Sequence, residues 1–158
     1  MSKEFAIAFT SDQPRKDLMA CLAADAANRH WTISVARPDL RGLIEGYKPS
    51  IIVVSHDAGP DDTQLFRQLQ MLSPNELQGI VKDLDDGLEF PFPQSLRLIH
   101  SLQLNPAPAP IIFLTEQHPG PMVVQLCRRL GATAVWSFGV PDSARRFSAF
   151  INGVQEFR

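Results

Sequence analysis

Cysteine is scarce in this chain. Of 158 residues only Cys21 and Cys127 carry a thiol, and neither sits in a CxxC or Cys/His spacing. Nothing therefore argues for a zinc site, which needs several such ligands close together. Both cysteines fall inside apolar helical patterns and read as small buried hydrophobes. Long hydrophobic runs are missing too. No stretch approaches the ~18 apolar residues of a membrane span. The N-terminal MSKEFAIAFT lacks the apolar core and cleavage pattern of an export signal. The expectation is a cytoplasmic chain with no membrane partner. Charge of one sign is also missing. The net charge is -2 and the isoelectric point about 6.0, so no electrostatic footprint for nucleic acid is visible. The glycine-rich phosphate loops GxGxxG and GxxxxGKS/T do not occur, which removes nucleotide binding by those devices. Lysine does not recur after Lys82.

What is present is an ordinary globular composition of a length that suits one domain, 1–158. A chain of this size buries roughly 70% of its unfolded surface without disulfides. Four short apolar runs stand out: Phe5–Phe9, Ile51–Val54, Ile111–Leu114 and Ala132–Trp136. Continuous apolar runs without alternation fit strands covered on both faces. Trp31–Val35 alternates with period two and fits a strand nearer a sheet edge. Helical spacing of apolar residues falls between these runs, over Arg15–Asn28, Pro38–Tyr47, Pro121–Leu130 and Pro141–Val154. Gly131 stands where a helix C-cap glycine belongs. The alternation calls for a parallel sheet between helix layers, with functional residues at the carboxyl ends of the strands.

The third crossover is long. From His56 to Pro110 it far exceeds the dozen or so residues that a parallel crossover requires. Gln64–Met71 and Ser95–Leu104 read as helices. Between them, residues 73–93 read as an insertion, with Ser73 or Asn75 able to cap a short helix toward Lys82. The acidic run Asp83–Gly87 reads as a turn, because the full calcium-loop pattern is absent. Asn105–Pro110 is a stiff, extended lead into the fourth strand.

The order of these elements resembles the receiver domain of bacterial response regulators. Phe9-Thr10-Ser11-Asp12-Gln13-Pro14 looks like the first strand and its acidic loop. Pro49–Ser55 looks like the strand leading to the phosphoacceptor. Ile111–Glu116 looks like the strand ending in a switch threonine, Thr115, and Leu130–Trp136 like the passage before the family's lysine. The resemblance implies a flavodoxin-like three-layer sandwich with five parallel strands in the order 2-1-3-4-5. It also implies a role in two-component signal transduction. The departures bear on function. Ser11 and Asp12 stand at the paired acidic site, Ser55 at the phosphoacceptor, and Phe138 or its neighbours at the lysine. A serine cannot form an acyl phosphate, and one carboxylate is a poor anchor for Mg²⁺. Phosphoryl transfer relies on positioned charge, so losing these groups together removes it. The expectation is a pseudo-receiver, not an enzyme, with no cofactor, that acts by protein–protein interaction or self-association.

Other chemistry is open to weighing. Asp57, Asp61 and Asp62 with Asp12 could form a rearranged carboxylate pocket for a cation; a solvated loop and helix start explain them as well. Ser55 and His56 are adjacent, so they point to opposite sides and lack a nucleophile elbow. Glu116 and His118 could face the strand-end cleft and serve a small-molecule sensor. Arg128, Arg129, Arg145 and Arg146, with Trp136, Phe147 and Phe150, form a candidate partner surface on the last two helices and the last strand. Leu88, Phe90 and Phe92 in the insertion offer a second.

Overall fold

In the computed structural model the described residues are 5–9, 16–29, 31–35, 50–56, 62–104, 109–116, 119–138 and 142–156. The helix expected over 38–47 lies outside them. Five strands form one parallel sheet: β1 (Phe5–Phe9), β2 (Trp31–Val35), β3 (Ile51–Ser55), β4 (Ile111–Thr115) and β5 (Ala134–Ser137). Their order is β2-β1-β3-β4-β5, as the sequence resemblance implied. The apolar run in β4 is buried at every position and that in β3 at all but Ser55. The alternating Trp31–Val35 lies at one edge.

Side chains alternate across a strand, so each strand feeds two cores. On one face, α1 (Lys16–Arg29) and the last helix, α6 (Ser143–Glu156), cover Ile7, Ile51, Val53, Ile112 and Leu114. On the other face, α2 (Asp62–Leu69), α4 (Gln94–Leu104) and α5 (Pro121–Leu130) cover Ile52, Val54, Ile111 and Phe113. Cys127 is fully buried in this second core, and its burial pushes the thiol up to about 12. Cys21, expected to be buried, is only half-buried, because it packs on the flank of the first core.

The insertion is a helix that folds back on the domain. Ser73 accepts from the amide of Glu76, and the Glu76 carboxylate accepts from the amide of Ser73, a reciprocal cap that starts α3 (Pro74–Asp85). The helix runs through Asp83–Asp85, where a turn was expected; the chain reverses only at Asp86 and Gly87, whose φ is 77°. The apolar face of α3 wins over the turn signal: Leu77 and Leu84 are buried in the second core, and the helix packs on α5. Each such leucine contributes roughly 1.5–3 kcal/mol. The surface expected at Leu88, Phe90 and Phe92 shrinks to Leu88, because Phe92 is buried and Phe90 partly so. Arg97 clamps both rings, its guanidinium 5.4 Å from the Phe90 centroid and 5.8 Å from that of Phe92.

Two further details fix the crossover. Asp62 is the first residue of α2, yet its carboxylate accepts from the amides of Gln94 (2.7 Å) and Ser95 (3.1 Å). It is 2% exposed and caps another helix, α4, so it belongs to neither a solvated loop nor a cation cluster. Gly131 ends α5 with φ 124°, and a Cβ there would sit 2.9 Å from Gln103 Cβ. The amide of Ala132 is still used by the helix cap, donating to the Cys127 carbonyl at 2.9 Å. That is why β5 starts at Ala134 and not at Ala132.

Candidate functional site

The carboxyl ends of β3, β4 and β5 lie side by side. Ser55 pairs with Leu114, and the amide of Phe138 donates to the carbonyl of Thr115 at 2.9 Å. Ser55, Thr115 and Phe138 therefore occupy one end of the sheet. Ser11, Asp12 and Asp57 lie outside the described residues, as do Asp61 and His118.

The two sheet faces end differently here. Phe138 is buried in the α1/α6 core, its ring 6.3 Å from that of Phe147. Trp136 lies beside it, 5.6 Å from Phe147 and 5.5 Å from Phe150. It acts as core filler along this edge, and its buried indole N–H has no hydrogen-bond partner among the described residues. On the opposite face, His56, Thr115, Glu116 and Pro119 meet Thr63, Phe66, Arg67 and Gln70 of α2 and its last turn around a cavity of about 300 Å³. Strand parity explains the membership: His56 points to this side and its neighbour Ser55 does not. The cleft thus unites His56 and Glu116, while the Ser55–His56 pair stays apart.

The far wall of the cleft was not legible as a site. Thr63, Phe66, Arg67 and Gln70 follow the i, i+3, i+4, i+7 spacing of one helix face. Phe66 packs on Phe113 at 5.6 Å and holds that face against the sheet. The Gln70 side-chain amide donates to the Pro119 carbonyl at 3.1 Å and joins the two walls. Thr115 donates from its hydroxyl to the Trp136 carbonyl at 3.5 Å, a long bond that links floor and edge strand. Among the described residues no group of three or more His, Cys, Asp or Glu could hold a metal ion.

Of the candidate partner residues the four arginines are exposed, while Trp136 and Phe150 are half-buried and Phe147 is buried. Arg128 and Arg129 end α5; Arg145 and Arg146 stand in the first turn of α6. These helices lie on opposite faces with the edge strand β5 between them. Among the described residues, none of the four guanidinium groups has an ion-pair partner.

No family model matches this sequence, and no curated protein sequence does. Solved structures do match. The signal receiver domain of a DNA-binding response regulator from Colwellia psychrerythraea 34H superposes with a TM-score of 0.60 at 13% identity, over 96% of this chain and 98% of that one. A response regulator receiver protein from Pseudoalteromonas atlantica gives 0.59 at 12% identity, over 96% and 97%. The beryllofluoride-activated N-terminal receiver domain of RstA from Klebsiella pneumoniae gives 0.54 at 17% identity, over 92% and 97%. The fold is the receiver fold. Within that fold, Ser55, Thr115 and Phe138 sit at strand ends that the sequence resemblance assigned to phosphoacceptor, switch threonine and lysine. Among the described residues no helix is long and apolar enough to cross a membrane.

Proposed function

We propose that this chain is a receiver-like signalling domain that works without aspartyl phosphorylation, by docking a protein partner or a second copy of itself. The observation that carries this is Phe138. An ammonium at that position would neutralise phosphoryl oxygens; an 8% exposed phenyl ring packed on Phe147 cannot. Ser55 supports the same reading, since its hydroxyl cannot make an acyl phosphate. The domain spans 1–158, with residues 73–93 as an insertion belonging to it, and acts in the cytoplasm without catalysis. Its docking face is the rim of Arg128, Arg129, Arg145 and Arg146 around β5 and Trp136. Four exposed cations with no ion-pair partner among the described residues favour a partner whose surface is acidic. The test is incubation with Mg²⁺ and acetyl phosphate, followed by intact-mass measurement. The expected result is no gain of a phosphoryl group. A stoichiometric gain mapped to an aspartate would overturn the proposal.

A second reading is favoured by the α2-side cleft, which could take a small ligand in the role that phosphorylation has elsewhere.

A further inference from the structure

We infer that the cleft between α2 and the ends of β3 and β4 is a binding site for a small organic anion, a carboxylate or phosphate that also carries a hydrogen-bond donor. The inference extends the phosphorylation-independent reading by naming an input for it, and rests on that reading for its biological sense only.

Size comes first. About 300 Å³ lies at the lower end of ligand pockets, which suits a metabolite and not a nucleotide. Location comes second, since parallel sheets bind ligands beyond the carboxyl ends of their strands. Chemistry comes third. Arg67 stands on the rim with no carboxylate within ion-pair distance among the described residues. A guanidinium offers a planar fork of donors that matches a carboxylate or phosphate. His56 supplies a second ring-nitrogen donor from the opposite wall. Phe66 and Pro119, both buried, give the cleft apolar walls that strengthen such bonds. Glu116 lines the same space, and a carboxylate has acceptor sites for more than one partner, so a hydroxyl or ammonium on the ligand fits there. Thr63 and Gln70 complete the rim with neutral polar groups. The site differs from a receiver's phosphorylation pocket in needing no metal and in drawing its cation from α2.

The experiment is an amide NMR titration of the whole chain with inorganic phosphate and, separately, with malate, each without Mg²⁺. Saturable shifts at His56, Arg67 and Thr115 with a millimolar or tighter Kd are expected for at least one probe. Malate alone would mark the carboxylate class and phosphate alone the phosphate class. Arg67→Ala, an exposed change that leaves the Phe66 contact in place, is expected to weaken binding at least tenfold. Lys82→Ala, an exposed change outside the lining of the cleft, is expected to leave it unchanged. Neither probe saturating by tens of millimolar, or Arg67→Ala binding as well as the parent, would overturn the inference. If the phosphate titration is repeated with Mg²⁺, a response that appears only then and centres on Ser55 would instead overturn the phosphorylation-independent reading.

Discussion

The two faces of the sheet are built from the same strands yet end in opposite ways. The α1/α6 face closes with Trp136, Phe138, Phe147 and Phe150, an aromatic plug where the sequence resemblance led us to look for a lysine. The α2/α5 face opens into a polar cleft at the same level, with Arg67 and His56 on its walls. The difference teaches that a fold fixes where a site can lie, while single residues at strand ends decide which side of the sheet holds it. One parity step separates Ser55 from His56, and it separates the plugged end from the open one.

The comparison can be broken from either side. Phe113→Ala and Phe147→Ala remove fully buried rings from the two cores. Each is expected to cost about 3–5 kcal/mol, measured by urea unfolding. A large inequality would show that one face carries the fold alone. Asp62→Ala acts on the cleft side only. It strips α4 of its cap and leaves the part-buried Gln94 amide and the buried Ser95 amide without their acceptor, for an expected loss of about 2 kcal/mol. Asp62→Asn, which keeps one acceptor, should recover part of that loss.

Smaller effects sharpen the picture. Ser73→Ala removes the cap of α3 and should cost about 0.5–1 kcal/mol, with the global fold intact by circular dichroism. Thiol labelling should modify half-buried Cys21 while sparing Cys127 in the native state. The buried thiol has a sign that can be checked. Its folded pKa, about 12, exceeds the ordinary value of 9.0, so the folded state holds the proton more tightly. Its contribution is fully present below pH 9 and is lost as pH rises through 9 toward 12. Cys127→Ala should therefore flatten the fall in stability across that alkaline range.

Much of the architecture was legible in the sequence. The apolar runs of β3 and β4 and the alternation of β2 gave strands and their rank in the sheet, because burial on two faces and on one leave different patterns. Ser73 was legible as a cap, since few residue types can serve there. The carboxylate of Asp62 was not, because its partners lie at Gln94 and Ser95 and only the tertiary fold brings them near. The helical state of Asp83–Asp85 was missed for a related reason: local acidity signals a turn, but burial of Leu84 in the second core outweighs it. The cleft was half legible. His56 and Glu116 follow strands directly and could be placed at the sheet's end. Arg67 sits on a helix face whose orientation depends on Phe66 meeting Phe113, a contact that no local pattern reveals.

The central claim is that the aromatic end of the sheet cannot hold a phosphoryl group. Its most direct test is the amide NMR spectrum before and after adding Mg²⁺ with beryllofluoride, the mimic of an aspartyl phosphate. The account predicts that resonances of Ser55 and Phe138 stay in place. Saturable shifts at these two residues together would contradict it and identify a working receiver site.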